Sequence, residues 1–428
     1  MLTLFVGLLA FALSLYGIIR GVINSELSQL HIGLNAHLLS LNQTYRGAGI
    51  SWYIYNLLRQ LDQIELSDWQ CRYTVFLHDR RFHQIQNLNL RYSSFSTARP
   101  AARIFWEQFF QPIMLKQTGV DLYHALAFVA PVVVQCPFVT TIYDLSFKRY
   151  PEAFKPLNRL YLSTLTARSA RQAEAVITIS ESTRQDVIQF FNIPSQKVYT
   201  IYCGVDDSFQ ILPQSQVAAF KAQHSLPDRF ILFIGTIEPR KNIVSLIEAY
   251  AAWRRRAQSP PKLVIAGGKG WYYQEVFRLV EKLNLTNEVV FPGYLPQGDL
   301  PLWYNAATMF VYPSRFEGFG LPVLEAMACG APVITSNVSS LPEVAGEAAL
   351  LIDPTDVDAL SEAMYQLFNK VDLRQEMRQQ GLIQKAKFNW QKTALKTVQV
   401  YKDVLAKVKG KFLAKDMPYD TESKGRSK

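Results

Sequence analysis

No two of the chain's four cysteines form a C-x-x-C pair. Cys71, Cys136, Cys203 and Cys329 are scattered through 428 residues. That spacing argues against a zinc site and a dense disulfide framework, and points to a reducing compartment. The six histidines show no H-E-x-x-H and no other metal-ligand spacing. No G-x-G-x-x-G follows a strand at the start of either half, which disfavours a nicotinamide-dependent dehydrogenase. The basic residues are not clustered with interleaved aromatics, so nucleic acid is not the expected partner. Charged residues amount to 19% and hydrophobic ones to 49%, ordinary for a folded protein and against extensive disorder. The length favours two domains. The formal charge of +10 suits phosphate-bearing partners, a solubilising charge being the plainer account.

One long uncharged run stands out, residues 2–19, followed by Arg20. It is at the lower limit for a membrane-spanning helix. No positive charge precedes it and no small-residue cleavage site follows, so a secretory signal does not fit. Arg20 favours leaving the rest of the chain in the cytoplasm. The expectation is an N-terminal hydrophobic helix over 1–24, anchoring the protein at the cytoplasmic face of a membrane. An interfacial helix is the alternative.

Beyond it, strand and helix patterns alternate, which predicts α/β layers. Strands are expected at 30–35, 73–78, 121–124, 138–143, 174–179 and 198–201, with a helix over 50–61. Ser180 is an N-cap candidate for a helix to 191. A second series follows at 230–235, 262–266, 288–291, 308–312, 331–334 and 349–352. The weakly periodic stretch between them, 206–228, reads as a linker. The expected division is a first domain over 28–205, a second over 229–390, a C-terminal helix over 391–414 and a disordered tail over 415–428.

The densest motif is PSRFEGFGLPVLEAMACG at 313–330. A strand ends near Tyr312, and a loop with Gly318 and Gly320 leads to Pro322, which suits a first helical position. Such glycines permit close approach of backbone to a ligand, and a helix start offers unpaired N–H groups. Glu317 stands before the turn and Glu325 on the first turns of the helix, so both can point at one ligand. Carboxylates accept hydrogen bonds from sugar hydroxyls. The second motif is GTIEPRKN at 235–242. Arg240 and Lys241 follow a strand, where a pyrophosphate would meet a fork and a point charge. Residues 154–171 mix leucines with Lys155, Arg159, Arg168 and Arg171. That pattern suits a helix lying on anionic membrane, or an ordinary surface helix.

These motifs resemble glycosyltransferase family 4, retaining enzymes of the GT-B fold. AEAVITISEST at 173–183, FPGYLPQGDLPLWYNAA at 291–307 and GAPVITSNVSSLPEVAGEAALLIDP at 330–354 extend the resemblance over residues 30–400. The family's pattern of Glu, seven residues, Glu is matched by Glu317 and Glu325. The resemblance implies a GT-B fold of two Rossmann-like domains facing a central cleft, the first binding an acceptor and the second a nucleotide-sugar. It implies a catalytic set of Arg240, Lys241 and Glu317, the cations holding the donor pyrophosphate and Glu317 meeting the donor sugar. Glu325 would bind ribose hydroxyls, and N–H groups of Phe319, Gly320 and Leu321, with Gly318, would cradle sugar and phosphate. Gly235 lies in the phosphate loop and Gly49 across the cleft. Such enzymes generally need neither metal nor cofactor, the donor being GDP-mannose by preference or a UDP-hexose. The acceptor would be a glycan or lipid-linked glycan at a membrane surface. The chain departs from the family at Tyr143, where many relatives have His, and at Thr236, where many have Arg. His124 near another strand end is a further candidate. An epimerase or a non-catalytic nucleotide-sugar-binding protein on the same fold are the rival readings.

Overall fold

The computed structural model describes residues 29–41, 49–64, 69–83, 85–256 and 260–415. The expected N-terminal anchor and the tail from 416 onward lie outside them. Among the described residues no helix is long and apolar enough to cross a membrane.

Two parallel sheets organise the chain. The first holds β1 Leu30–Asn35, β2 Cys71–Leu77, β3 Leu88–Tyr92, β4 Leu122–Ala125, β5 Phe138–Ile142, β6 Ala175–Thr178 and β7 Val198–Thr200, in the order β3-β2-β1-β4-β5-β6-β7. The second holds β8 Phe230–Ile234, β9 Lys262–Ala266, β10 Val289–Gly293, β11 Met309–Tyr312, β12 Val333–Ser336 and β13 Ala349–Ile352, in the order β10-β9-β8-β11-β12-β13. Helices cover both faces of such sheets, so their strands read as unbroken apolar runs. FILFI of β8 and the fully buried MFVY of β11 are of this kind. β3 was not expected. It pairs on one side only, with β2, and its burial alternates, so it carries no apolar run.

The strand order reverses beside β1 and again beside β8. Each sheet runs outward to one edge and then resumes on the other side, at β4 and at β11. Connections leaving the carboxyl ends there diverge and open a crevice.

Two segments, the stretch read as a linker and the C-terminal helix, make contacts that the sequence did not indicate. Residues 206–228 are more than a connector: helix Gln214–Gln223 buries Val217 and Phe220, and Phe220 packs edge-on against Trp303 with ring centroids 5.4 Å apart. The final helix, Trp390–Lys415, returns to the first sheet. It packs on helix Ile50–Gln63, with Trp390 against Tyr53 at 5.6 Å and Tyr401 hydrogen-bonded to His124 at 2.7 Å.

Candidate active site

A cleft of about 550 Å³ opens where the loops after β1, β5, β8, β9 and β11 meet. Gly49, Gly235, Arg240, Lys241, Glu317, Gly318, Phe319, Gly320, Leu321 and Glu325 all line it. Residues singled out from separate stretches of sequence thus share one cavity.

Its floor is a hydrogen-bonded cluster around Glu317. Oε1 of Glu317 accepts from Lys241 Nζ at 2.6 Å, Ser314 Oγ at 2.6 Å and Tyr312 OH at 2.9 Å. Oε2 accepts from Arg240 Nη1 at 3.3 Å. The other edge of the Arg240 fork is bound by Glu238 Oε1, at 3.1 and 2.9 Å. The loops of the two motifs are stitched together, since Arg240 O accepts from Arg315 N at 2.9 Å and Ser314 Oγ at 3.1 Å. Two cations and two carboxylates balance within a few ångströms, which is how buried charges are tolerated. Burial alone would raise the Glu317 carboxyl. The charges of Lys241 and Arg240, with hydrogen bonds from Lys241 and Ser314, outweigh it and bring the pKa down to about 2. Burial draws Lys241 below the ordinary ammonium value, with Glu317 opposing and Arg240 adding to the fall. Arg240 is raised: the charges of Glu317, Glu238 and Asp144 overcome its burial.

Glu317 is therefore not a vacant acceptor. A carboxylate oxygen offers about two lone-pair sites. Oε1 already takes three donors, whereas Oε2 takes one. Room for a sugar hydroxyl remains at Oε2.

Glu325 stands at the other side of the motif, on helix Leu321–Ala328. Its Oε2 accepts from Tyr304 OH at 3.0 Å, and Oε1 has no partner among the described residues. Among the described residues no cation is paired with it. Burial, helped by the charge of Asp206 and opposed by the Tyr304 bond, raises its pKa to about 7. Between the two carboxylates the helix begins at Gly320, with φ 110°. The N–H groups of Phe319, Gly320 and Leu321 have no acceptor among the described residues, so they offer the anion-binding end of a helix. Among the described residues no cluster of His, Cys, Asp or Glu could hold a metal ion.

Two family models match the chain: "Glycosyltransferase Family 4" over residues 47–209 and "Glycosyl transferases group 1" over 215–383. O-antigen chain mannosyltransferase B of Escherichia coli is 36% identical over 266 residues, 62% of this chain and 70% of that protein. The chain belongs to glycosyltransferase family 4. The serotype-specific mannosyltransferase WbdA of Escherichia coli is 38% identical over 227 residues, 52% of this chain and 28% of that longer protein. Sucrose-phosphate synthase of Thermosynechococcus elongatus superposes with a TM-score of 0.72, at 21% identity, over 88% of this chain and all of that one. That likeness is one of fold, the GT-B arrangement of two facing sheets.

Within this glycosyltransferase several expected roles shift. Gly318 is small because of the facing half: an added Cβ would stand 2.3 Å from the carbonyl oxygen of Tyr143. Gly235 donates its N–H to Ala266 O at 2.9 Å, so it has no N–H left for phosphate. Its neighbour Gly267, φ 147°, leaves no room for a side chain, a Cβ falling 1.9 Å from Gly235 O. Gly49, φ 58° and ψ −99°, has space for a side chain among the described residues. Tyr143 is a packing residue, donating to Leu126 O at 2.6 Å and meeting Tyr53 edge-on. His124 is structural, bonded to Tyr401 and Thr141 and held neutral by burial, with a pKa of about 3.

Sequence reasoning missed Tyr312, Tyr304, Ser314 and Glu238. The tyrosines belong to an apolar strand and helix, where they read as core. Ser314 and Glu238 sit within the motifs, two or three residues from the residues they bind, and that closeness was the available signal. Asp144 was also overlooked, although it lines the cleft from the first half and bears on Arg240.

Proposed function

We propose that this glycosyltransferase moves mannose from GDP-mannose to a polysaccharide or lipid-linked glycan, with retention at the anomeric carbon and without a divalent metal. The observation that carries the reading is the pairing, in one cleft, of a cation cluster built on Glu317 with a carboxyl at Glu325. A nucleoside diphosphate has a matching division into charged and neutral ends. The mannosyl group follows the activity named for the relatives.

In this reading the pyrophosphate meets Lys241, Arg240 and the N–H groups at the start of helix Leu321–Ala328. These groups stabilise charge that grows as the anomeric bond breaks. Glu317 holds both cations charged and in place, and its Oε2 takes a donor-sugar hydroxyl. Glu325 takes ribose hydroxyls. With Glu317 engaged at both oxygens, the cleft offers no ready nucleophile from that side chain. The acceptor hydroxyl then attacks from the face the diphosphate leaves. The enzyme works at the cytoplasmic face of a membrane, with residues 1–24 contributing an anchor.

Calorimetric titration of GDP and UDP, followed by transfer assays with GDP-mannose and excess chelator, tests this. GDP binding and chelator-resistant transfer are the expected results. Tighter UDP binding would move the donor to a UDP-hexose. Loss of transfer with EDTA, rescued by manganese, would overturn the metal-free mechanism. Sugar isomerised without acceptor would make the enzyme an epimerase, and binding of nucleotide-sugar without turnover would make it a binding protein.

A further inference from the structure

The first half carries an apolar surface that the cleft does not use. Nine of the nineteen large apolar side chains exposed among the described residues lie between 95 and 160. Eight of the nine, all but Phe95, stand on three pieces of chain that touch. The first is a helical stretch over 100–118, interrupted by a π-helical turn at Trp106–Phe110. The turn buries Trp106 and Glu107 but leaves Phe109 62% exposed, with the Phe105 ring tilted against it at 5.0 Å. The second piece is the loop at Val132 and Val133, both exposed; Val132 N donates to Gln108 Oε1 at 2.9 Å. The third is the first turn of helix Pro156–Gln172, where Leu157 is 81% and Leu160 64% exposed. Arg168 on that helix reaches Val132 O at 3.5 Å, and Tyr161 lies within the fields of Glu107 and Arg103.

Charge on these segments is mainly positive. Arg99, Arg103, Lys116, Lys155, Arg159 and Arg168 come from residues 99–118 and 154–172, whose single carboxylate is Glu107. Glu107 is buried and accepts from Asn35 at 3.1 Å. That bond ties the surface to the carboxyl end of β1, the end from which the cleft opens.

We propose that this face seats on an anionic lipid bilayer. Phe105, Phe109, Ile113, Leu157 and Leu160 enter the boundary between headgroups and acyl chains, and the surrounding cations meet lipid phosphates. Protruding aliphatic tips ringed by cations suit that boundary, where an apolar layer lies beneath an anionic one. A second copy docking through the same patch would set cations against cations. Nucleic acid would find no stacking face on the leucines. The proposal rests on the membrane location given above and supplies it with a surface distinct from residues 1–24.

Hydrogen exchange of the full chain with vesicles tests it. Amides of a helix's first turn lack intrahelical partners and exchange readily. Vesicles of phosphatidylcholine with phosphatidylglycerol are expected to slow exchange at 104–114 and 156–161, whereas pure phosphatidylcholine does not. The triple variant Phe109→Ser, Leu157→Ser, Leu160→Ser is expected to lose at least about tenfold in partition to the anionic vesicles. Its thermal midpoint, set by buried residues, stays that of wild type. Raising salt from about 0.1 M to about 1 M is expected to weaken wild-type binding. If the chain binds vesicles while those peptides exchange unchanged, membrane location stands and this surface is wrong. Equal binding to both vesicle types, or a dimer that the triple variant dissociates, also overturns it.

Discussion

Burial acts alike on two carboxyls eight positions apart, and the outcomes differ because, among the described residues, only Glu317 has cations beside it. Glu317, facing Lys241 and Arg240, is held at about 2, and Glu325, facing Tyr304, is raised to about 7. A carboxyl raised in the folded state favours folding while it keeps its proton. That contribution is complete below the unfolded value and is lost as pH rises through about 7. Glu325→Gln, which cannot ionise, is therefore expected to melt higher than wild type at pH 8, the difference vanishing toward pH 5. The ionised form is the better acceptor for ribose hydroxyls. Nucleotide affinity in wild type should tighten between pH 6 and pH 8, and calorimetry should find this trend flattened in Glu325→Gln. At Glu317 the consequence is structural as well as chemical. Glu317→Gln leaves Lys241 and Arg240 short of a buried countercharge. Urea unfolding should show a loss of about 3–5 kcal/mol. Lys241→Ala should lower kcat about tenfold to a hundredfold, a charge-assisted contact being worth about 1.5–3 kcal/mol, with a smaller effect on nucleotide affinity. Equal losses in kcat and affinity would assign Lys241 to ground-state binding.

At the scale of elements, what was legible followed from burial on both faces. Twelve of the thirteen strands among the described residues announce themselves as apolar runs, and Ser180 caps its helix as its sequence suggested, accepting from Thr183 N at 3.1 Å. β3 failed because its burial alternates along the strand and leaves no apolar run. Helix Gln214–Gln223 was hidden because its buried side is only Val217 and Phe220. In the site, the charged residues were legible because acids and cations after strands are unusual. Tyr312 and Tyr304 were not, since a buried ring looks the same in sequence whether or not its hydroxyl holds a carboxylate. Gly318 shows a further limit. The residue stood out, but its cause, the carbonyl of Tyr143, is 175 positions away. Gly318→Ala should push the two loops apart and reduce kcat/KM at least about tenfold, since displacements near 1 Å at reacting groups have such effects. The second sheet is untouched, so GDP affinity measured by titration should change far less.

At the scale of the molecule, the halves meet through contacts that belong to neither alone. Glu343 of the second half accepts from Glu181 N and Ser182 N at 2.7 Å each, capping helix Glu181–Phe191 of the first. Thr183 reaches Gly318 O at 3.4 Å, and Tyr150 reaches Arg315 O at 3.2 Å. A carboxylate at a helix N-terminus is worth about 0.3–2 kcal/mol, enough to bias a hinge. Glu343→Ala should enlarge the radius of gyration of the unliganded enzyme in small-angle scattering, and saturating nucleotide should reverse much of that increase. An unchanged radius would show that Glu343 does not govern closure. The returning helix Trp390–Lys415 has a consequence for the order of events during synthesis. Val398 and Tyr401 complete a core begun by Tyr53 and His124. A ribosome releases the first sheet long before that helix exists, so the exposed face must wait, uncovered, while the whole second sheet is made. Domains usually fold as they emerge. Here the half made first is finished last.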